Sequence, residues 1–146
     1  SAALEAGVAA HADWTIAAQL NGDFTQAKAY EETIAYLQSS PAPDVVYCEN
    51  DNMCFGVMQA LDELGIAYGD GGVTLISFDA GRTALSYCKD GKIDLCAECN
   101  PLHGPRVRAL IEQLARGETP EKLSYMPEAL FTADTLTAEL LESRVY

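Results

Sequence analysis

Basic residues are what this chain has least of. Lys and Arg number 9 against 22 Asp and Glu, a formal net charge of −13. Phosphate backbones and anionic lipid surfaces are gripped by clustered Lys and Arg, so nucleic acid and membrane surfaces are not expected partners. Long apolar runs are missing too. Nothing approaches the roughly 20 residues of a membrane span, so no insertion is expected. Histidine is scarce: only His11 and His103 are present. Neither has partner spacing for a metal, and no metal site is expected. His11 precedes the first expected strand and His103 lies in a loop, so no Ser-His-Asp or Cys-His arrangement forms. A phosphate-cradling loop is absent as well. Gly69-Asp70-Gly71-Gly72 precedes a strand instead of opening a helix after one, and no cofactor is expected. The first residues read as an interior start without a secretory leader, so targeting does not reveal the compartment.

Cysteine is present but sparse. Cys48, Cys54, Cys88, Cys96 and Cys99 are too few for a disulfide scaffold, and an odd number cannot pair completely in one chain. Cys96-Ala97-Glu98-Cys99 has Cys-x-x-Cys spacing. A redox pair would start a helix, where the thiolate is stabilised. Here Ile93 and Leu95 put Cys96 in a strand, and Pro101 delays any helix. The cysteines are expected to act as small apolar residues, with redox or metal roles the lesser reading.

What remains is a chain of 146 residues, 49% hydrophobic, enough for one core. Strand and helix patterns alternate along it. Trp14 to Leu20 reads as a strand, with Trp14 as packing. Ala27, Tyr30, Ile34 and Leu37 recur at helical spacing, with Thr25 as N-cap. Val45 to Cys48 reads as a strand buried on both faces. Cys54, Val57, Met58, Leu61 and Leu64 form one helical stripe, ended by Gly65. Val73 to Phe78 is a strand, Ala84, Leu85 and Cys88 a helix, and Ile93 to Glu98 a strand. Pro105 opens a helix with Val107, Leu110, Ile111 and Leu114 on one face, ending at Gly117. The tail holds a short strand and a helix near Thr135 to Glu142. Strands joined by such helices predict right-handed βαβ units, a parallel sheet and an α/β fold.

In such sheets the ligand site lies outside the carboxyl ends of the strands. There the sequence delivers Asn21, Asp23 and Phe24, then Glu49 to Asn52, then Asp79, then Glu98 and Asn100. Carboxylates accept hydrogen bonds from hydroxyls, and amides both donate and accept. An aromatic face covers the C–H side of a sugar ring. The rim therefore suits a small neutral polyol. The candidate ligand-binding residues are Phe24, Asn50, Asp79, Glu98 and Asn100.

Each has a plainer reading. One residue of the Asn50-Asp51-Asn52 run should cap the following helix, and Asp51 or Asn52 is expected to do so. Asp79 could cap its own helix. Phe24 is by base rate more often core. Glu98 could be a surface acid, and Asn100 merely the extended residue that Pro101 demands. Arg82, beside Asp79, is expected in a surface or ion-pair role. Paired carboxylates also admit a glycoside hydrolase built on Glu98 and Asp79. No apolar pocket that would raise one of them selectively is apparent, so the chain is not expected to be an enzyme.

These residues carry a resemblance. Val45 to Met53, followed by Gly56 and Ala60-Leu61, resembles the strand, Asn-Asp-x-Met, helix segment of type I periplasmic sugar-binding proteins. Ile76 to Gly81 and Asp90-Gly91-Lys92-Ile93 are similar to that family's following strand and Asp-Gly turn. Glu98 to Pro105, Leu130 to Thr135 and Arg144-Val145-Tyr146 resemble its galactofuranose-type branch. The resemblance runs from about Trp14 to the end and covers the second half of such a protein.

The resemblance implies a Rossmann-like, three-layer α/β/α lobe. Residues 1–100 would form the C-terminal sugar-binding lobe. Residues 101–124 would be a crossover helix belonging to the N-terminal lobe, and 125–146 the return. It also implies a non-catalytic component of an ABC importer, working with a permease outside the cytoplasm, as a periplasmic protein or cell-surface lipoprotein made with a signal peptide. A sensing domain of a receptor or transcription regulator with the same fold is the alternative. Asn50 and Asp79 match hydroxyl contacts, Phe24 the stacking aromatic and Glu98 a hinge-side contact, with Asn100 nearby. The family's Arg before the first strand has no counterpart in Ser1 to His11. Burying Val107, Leu110, Ile111 and Leu114 is worth roughly 6–12 kcal/mol. That helix is therefore expected to pack on a second copy, by swapping or symmetric pairing.

Overall fold

The computed structural model describes residues 1–146. In chain order the elements are α1 (Ala2–Ala9), α2 (Gln26–Leu37), β1 (Val45–Tyr47), α3 (Asp51–Leu64) and β2 (Thr74–Asp79). There follow α4 (Arg82–Lys89), β3 (Leu95–Glu98), α5 (Gly104–Ala115), β4 (Leu130–Phe131) and α6 (Ala138–Ser143).

Local chemistry sets the helix ends. Extended Thr25 accepts from Lys28 N at 3.3 Å and starts α2. Gly65, at φ +65°, ends α3 in the left-handed conformation that glycine adopts without strain. Gly56 lets α2 and α3 approach closely, because a Cβ there would collide with Gln26 O and Tyr30 N.

The sheet order is β1-β2-β3-β4. β1, β2 and β3 run parallel, as the βαβ pattern predicts. β4 is antiparallel to β3 and departs from the all-parallel expectation. After α5 the chain returns to the edge where β3 ended, with Glu98 N donating to Ala129 O at 2.9 Å. The next strand must therefore run back.

One sheet face is closed. Leu75 and Ser77 of β2 and Cys96 of β3 are fully buried under α3 (Cys54, Val57, Met58, Leu61) and α4 (Ala84, Leu85, Cys88). Phe131 and Leu136 from the tail complete this core. The opposite face carries Tyr47, Ile76, Phe78 and Leu95, which stay half-buried. Tyr47 and Phe78 pack there with tilted rings, centroids 4.9 Å apart.

The expected strand at Trp14 to Leu20 is not formed. A strand needs a ladder partner and a face to bury, and this run has neither, for residues 9–21 are all exposed. Trp14 does not pack in the core. It is 60% exposed and stacks on His11 at 4.4 Å. β1 is consequently a sheet edge, and Val45 is 50% exposed where burial on both faces was expected. The apolar stripe of α5 is present but covers nothing, and the helix buries no residue.

Candidate functional site

Parallel register sets the strand ends side by side. Cys48 N donates to Ile76 O at 2.8 Å, and Asp79 is the Cα partner of Glu98. Cys99 N donates to Asp79 O at 3.3 Å. Asn50, Asp79, Glu98 and Asn100 thus leave the sheet along one edge, where ligands of such sheets bind.

Asn50 is tied down at both ends of its amide. Its Oδ1 accepts from Met53 N at 2.8 Å and caps α3. Its Nδ2 donates to Phe24 O at 3.2 Å. The cap therefore falls on Asn50, where Asp51 or Asn52 was expected, because Asp51 is turned inward for another task. The same amide fastens the Asp23-Phe24 turn to the edge, and leaves the Phe24 ring exposed.

Asp51 organises the middle of the edge. Its carboxylate is buried and accepts from Ser77 Oγ at 2.5 Å and Gly81 N at 2.8 Å. Burial pushes this carboxyl up, and the bonds from Ser77 and Gly81 partly offset that. Asp79 and Ala80 lie between those anchors at φ +97° and +58°, while Asp23 and Phe24 stand at +48° and +54°. Such non-glycine conformations cost on the order of 1–3 kcal/mol each and persist where their surroundings hold them. The strain is thus concentrated in two of the turns that line the candidate edge. Asp79 is raised by burial and drawn back in part by the nearby Asp51 backbone N–H.

Glu98 is committed to the chain itself. Oε1 accepts from Arg144 Nη1 at 2.6 Å and from the Tyr146 hydroxyl, and Oε2 accepts from Ala129 N at 3.0 Å. The side chains of Arg144 and Glu98 are 10% and 9% exposed. Burial pushes the Glu98 carboxyl up, but hydrogen bonds from Tyr146 and Arg144 and the arginine charge outweigh it and hold it below the usual range. Burial, with Glu98 alongside, pushes Tyr146 up to about 12. Arg82 takes no ion pair. It strings the tail to α4, with Nε donating to Arg144 O at 2.9 Å and its backbone N to Tyr146 O at 2.8 Å. Neither Asp51 nor Arg144 and Tyr146 was legible as site architecture. Their partners lie 26 to 48 residues away along the chain, and no local spacing marks them.

Asn100 N donates to Glu128 Oε1 at 3.2 Å, and its Oδ1 accepts from Leu102 N at 2.9 Å. A cavity of about 230 Å³ beside Glu98 and Asn100 is lined also by Phe131, Arg144 and Tyr146. Phe24, Asn50 and Asp79 stand outside it, on the open part of the edge. No group of His, Cys, Asp or Glu is gathered for a metal.

A family profile described as a periplasmic binding protein domain matches residues 1–114. The chain belongs to the periplasmic binding protein family. It is 31% identical over 124 residues to the galactofuranose-binding protein YtfQ of Escherichia coli (strain K12), covering 82% of this chain and 39% of that protein. A Mycobacterium smegmatis structure in complex with β-D-fucofuranose is 30% identical with a TM-score of 0.80, covering 88% of this chain and 42% of that one. The periplasmic component of an arabinose ABC transporter from Shewanella sp. ANA-3 shares the fold, at 24% identity and a TM-score of 0.85, over 99% of this chain and 52% of its own. This periplasmic binding protein chain thus spans about half the length of the relatives it matches, or less. Members of the family are extracytoplasmic. No helix here is long and apolar enough to cross a membrane.

Proposed function

We propose that this chain forms one wall of a sugar-binding cleft in an extracytoplasmic component of an ABC importer. The observation that carries the reading is the common edge: Asn50, Asp79 and Asn100 leave parallel strands in register, and Asn50 itself holds the exposed Phe24 beside them. Asp79 and Asn100 contact sugar hydroxyls, and Phe24 covers a ring face. Asn50 offers what its cap and its bond to Phe24 leave free. Glu98 serves chiefly as the post that fixes the end of β3, since its carboxylate is engaged by Arg144, Tyr146 and Ala129. The reading is non-catalytic, and the relatives named for galactofuranose and bound to fucofuranose support a furanose-type or related monosaccharide.

In this reading residues 1–100 and 125–146 make the lobe, and 101–124 cross to the other wall. The partner is an ABC permease, reached when two lobes close by hinge motion. A bond to a hydroxyl nets only about 0.5–1.5 kcal/mol against water, and more once both sides are covered. The single wall therefore binds weakly. Calorimetry with galactose, ribose and galactofuranosides should show no more than weak, millimolar binding; submillimolar binding would refute the one-wall reading. A carboxylate hydrolase on Glu98 and Asp79 is disfavoured, because both Glu98 oxygens are taken up by Arg144, Tyr146 and Ala129 and neither is left to act on a substrate. Turnover of nitrophenyl glycosides would reverse that.

A further inference from the structure

Leu75 and Ser77 of β2 are fully buried on the core face, and strand alternation would send Asp79 after them. It does not follow. Asp79 is exposed at the edge, and Ala80 is fully buried in its stead. The alternation breaks where φ turns positive, at +97° for Asp79 and +58° for Ala80. What holds the break sits on another element. The Asp51 carboxylate brackets the turn, accepting from Ser77 Oγ at 2.5 Å on one side and from Gly81 N at 2.8 Å on the other. Gly81 leaves it room, since a Cβ there would stand 3.3 Å from Asp51 Oδ2. An inward Asp79 would meet this buried carboxylate as a like charge. On the strand side, Cys99 N holds Asp79 O at 3.3 Å. An acid in the first turn of a helix ordinarily serves the helix dipole. Asp51 instead turns both oxygens toward β2 and the start of α4.

We infer that Asp51 and Ser77 are positioning residues of the sugar site: by fixing the chain on both sides of Asp79 and Ala80 they reverse the strand's alternation and present the Asp79 carboxylate at the open edge. The inference rests on the proposed sugar wall and adds to it two buried residues that no sugar touches. A carboxylate accepts from a hydroxyl only within a narrow range of distance and angle. A contact residue on a turn is therefore only as good as the groups that fix that turn.

The test takes two magnetic-resonance readouts on the full isotope-labelled chain. One needs no sugar. A positive φ brings an amide hydrogen close to its own Hα, so Asp79 and Ala80 should each give a strong intraresidue cross-peak. The other is a titration with a methyl galactofuranoside, read as the initial slope of the Asp79 amide shift against sugar concentration. Asp51→Ala removes both anchors. It should reduce both cross-peaks to ordinary strength and lower the slope about fivefold, the equivalent of one net hydrogen bond. Asp51→Asn keeps an acceptor for Gly81 N and a donor for Ser77 Oγ, and should restore the cross-peaks and most of the slope. Ser77→Ala removes one anchor, should fall between, and decides the matter if Asp51→Ala does not fold. Full cross-peaks and an unchanged slope in the folded alanine variants would overturn the positioning role. So would an asparagine variant that loses as much as the alanine one. A parent chain with both cross-peaks but no sugar shifts would refute the sugar wall, and the site role of Asp51 with it, while the cross-peaks would still report what holds the turn.

Discussion

Two helices of this chain carry similar apolar stripes and meet different fates. α3 presents Cys54, Val57, Met58 and Leu61 and buries all four. α5 presents Val107, Leu110, Ile111 and Leu114 and buries none of them. The first has β2 and α2 against it; the second has no comparable neighbour. A stripe states that a helix needs a cover, and only the rest of the fold decides whether one is at hand. The run from Trp14 to Leu20 teaches the same lesson for strands, since its apolar residues stay exposed beside a sheet edge.

The sharpest way to break this contrast is to remove one residue from each stripe. Leu61 is 1% exposed, and Leu61→Ala should cost about 4 kcal/mol by urea unfolding. Ile111 is 60% exposed, so Ile111→Ala should stay within about 0.5 kcal/mol. Equal losses would mean that α5 is covered in solution.

Next in size is the post at the edge. Arg144→Met leaves the Glu98 carboxylate without its cation and should cost about 3 kcal/mol. Glu98 titrates below its unfolded value, so its contribution is complete above the ordinary carboxylate range and is lost as pH falls through the lowered folded value. Asp51 has the opposite sign. Its folded value is raised, so ionising it erodes stability as pH climbs from the ordinary value to the folded one. Glu98→Gln should flatten the acid limb of a stability profile, and Asp51→Asn should remove the loss above it. A profile unchanged by Glu98→Gln would contradict the ion pair.

A smaller effect separates cap from rim. Asn50→Ala removes the α3 cap and the tether to Phe24, and should cost about 1 kcal/mol, whereas Asn50→Asp keeps the cap and loses the tether. If Asn50→Asp costs as much as the alanine variant, the Phe24 bond is the larger part.

The local features were the legible ones. Thr25 and Gly65 mark their helix ends through a side-chain acceptor and a left-handed backbone, chemistry confined to a few residues. β2 and β3 were readable as apolar runs between breakers. That they deliver Asp79 and Glu98 to one edge followed from the handedness of βαβ units. What escaped was set at a distance. The antiparallel turn of β4 depends on where α5 lets the chain return. The capping role of Asn50 depends on Ser77 and Gly81 claiming Asp51. The engagement of Glu98 depends on two residues at the far end of the chain, Arg144 and Tyr146.

The common polar ledge is tested most directly by titrating isotope-labelled chain with a furanose-forming sugar and following every amide resonance. The prediction is fast-exchange shifts at millimolar sugar, confined to the amides around Phe24, Asn50, Asp79 and Asn100, with α5 silent. Shifts centred elsewhere, or none at saturating sugar, would contradict a sugar wall at this edge.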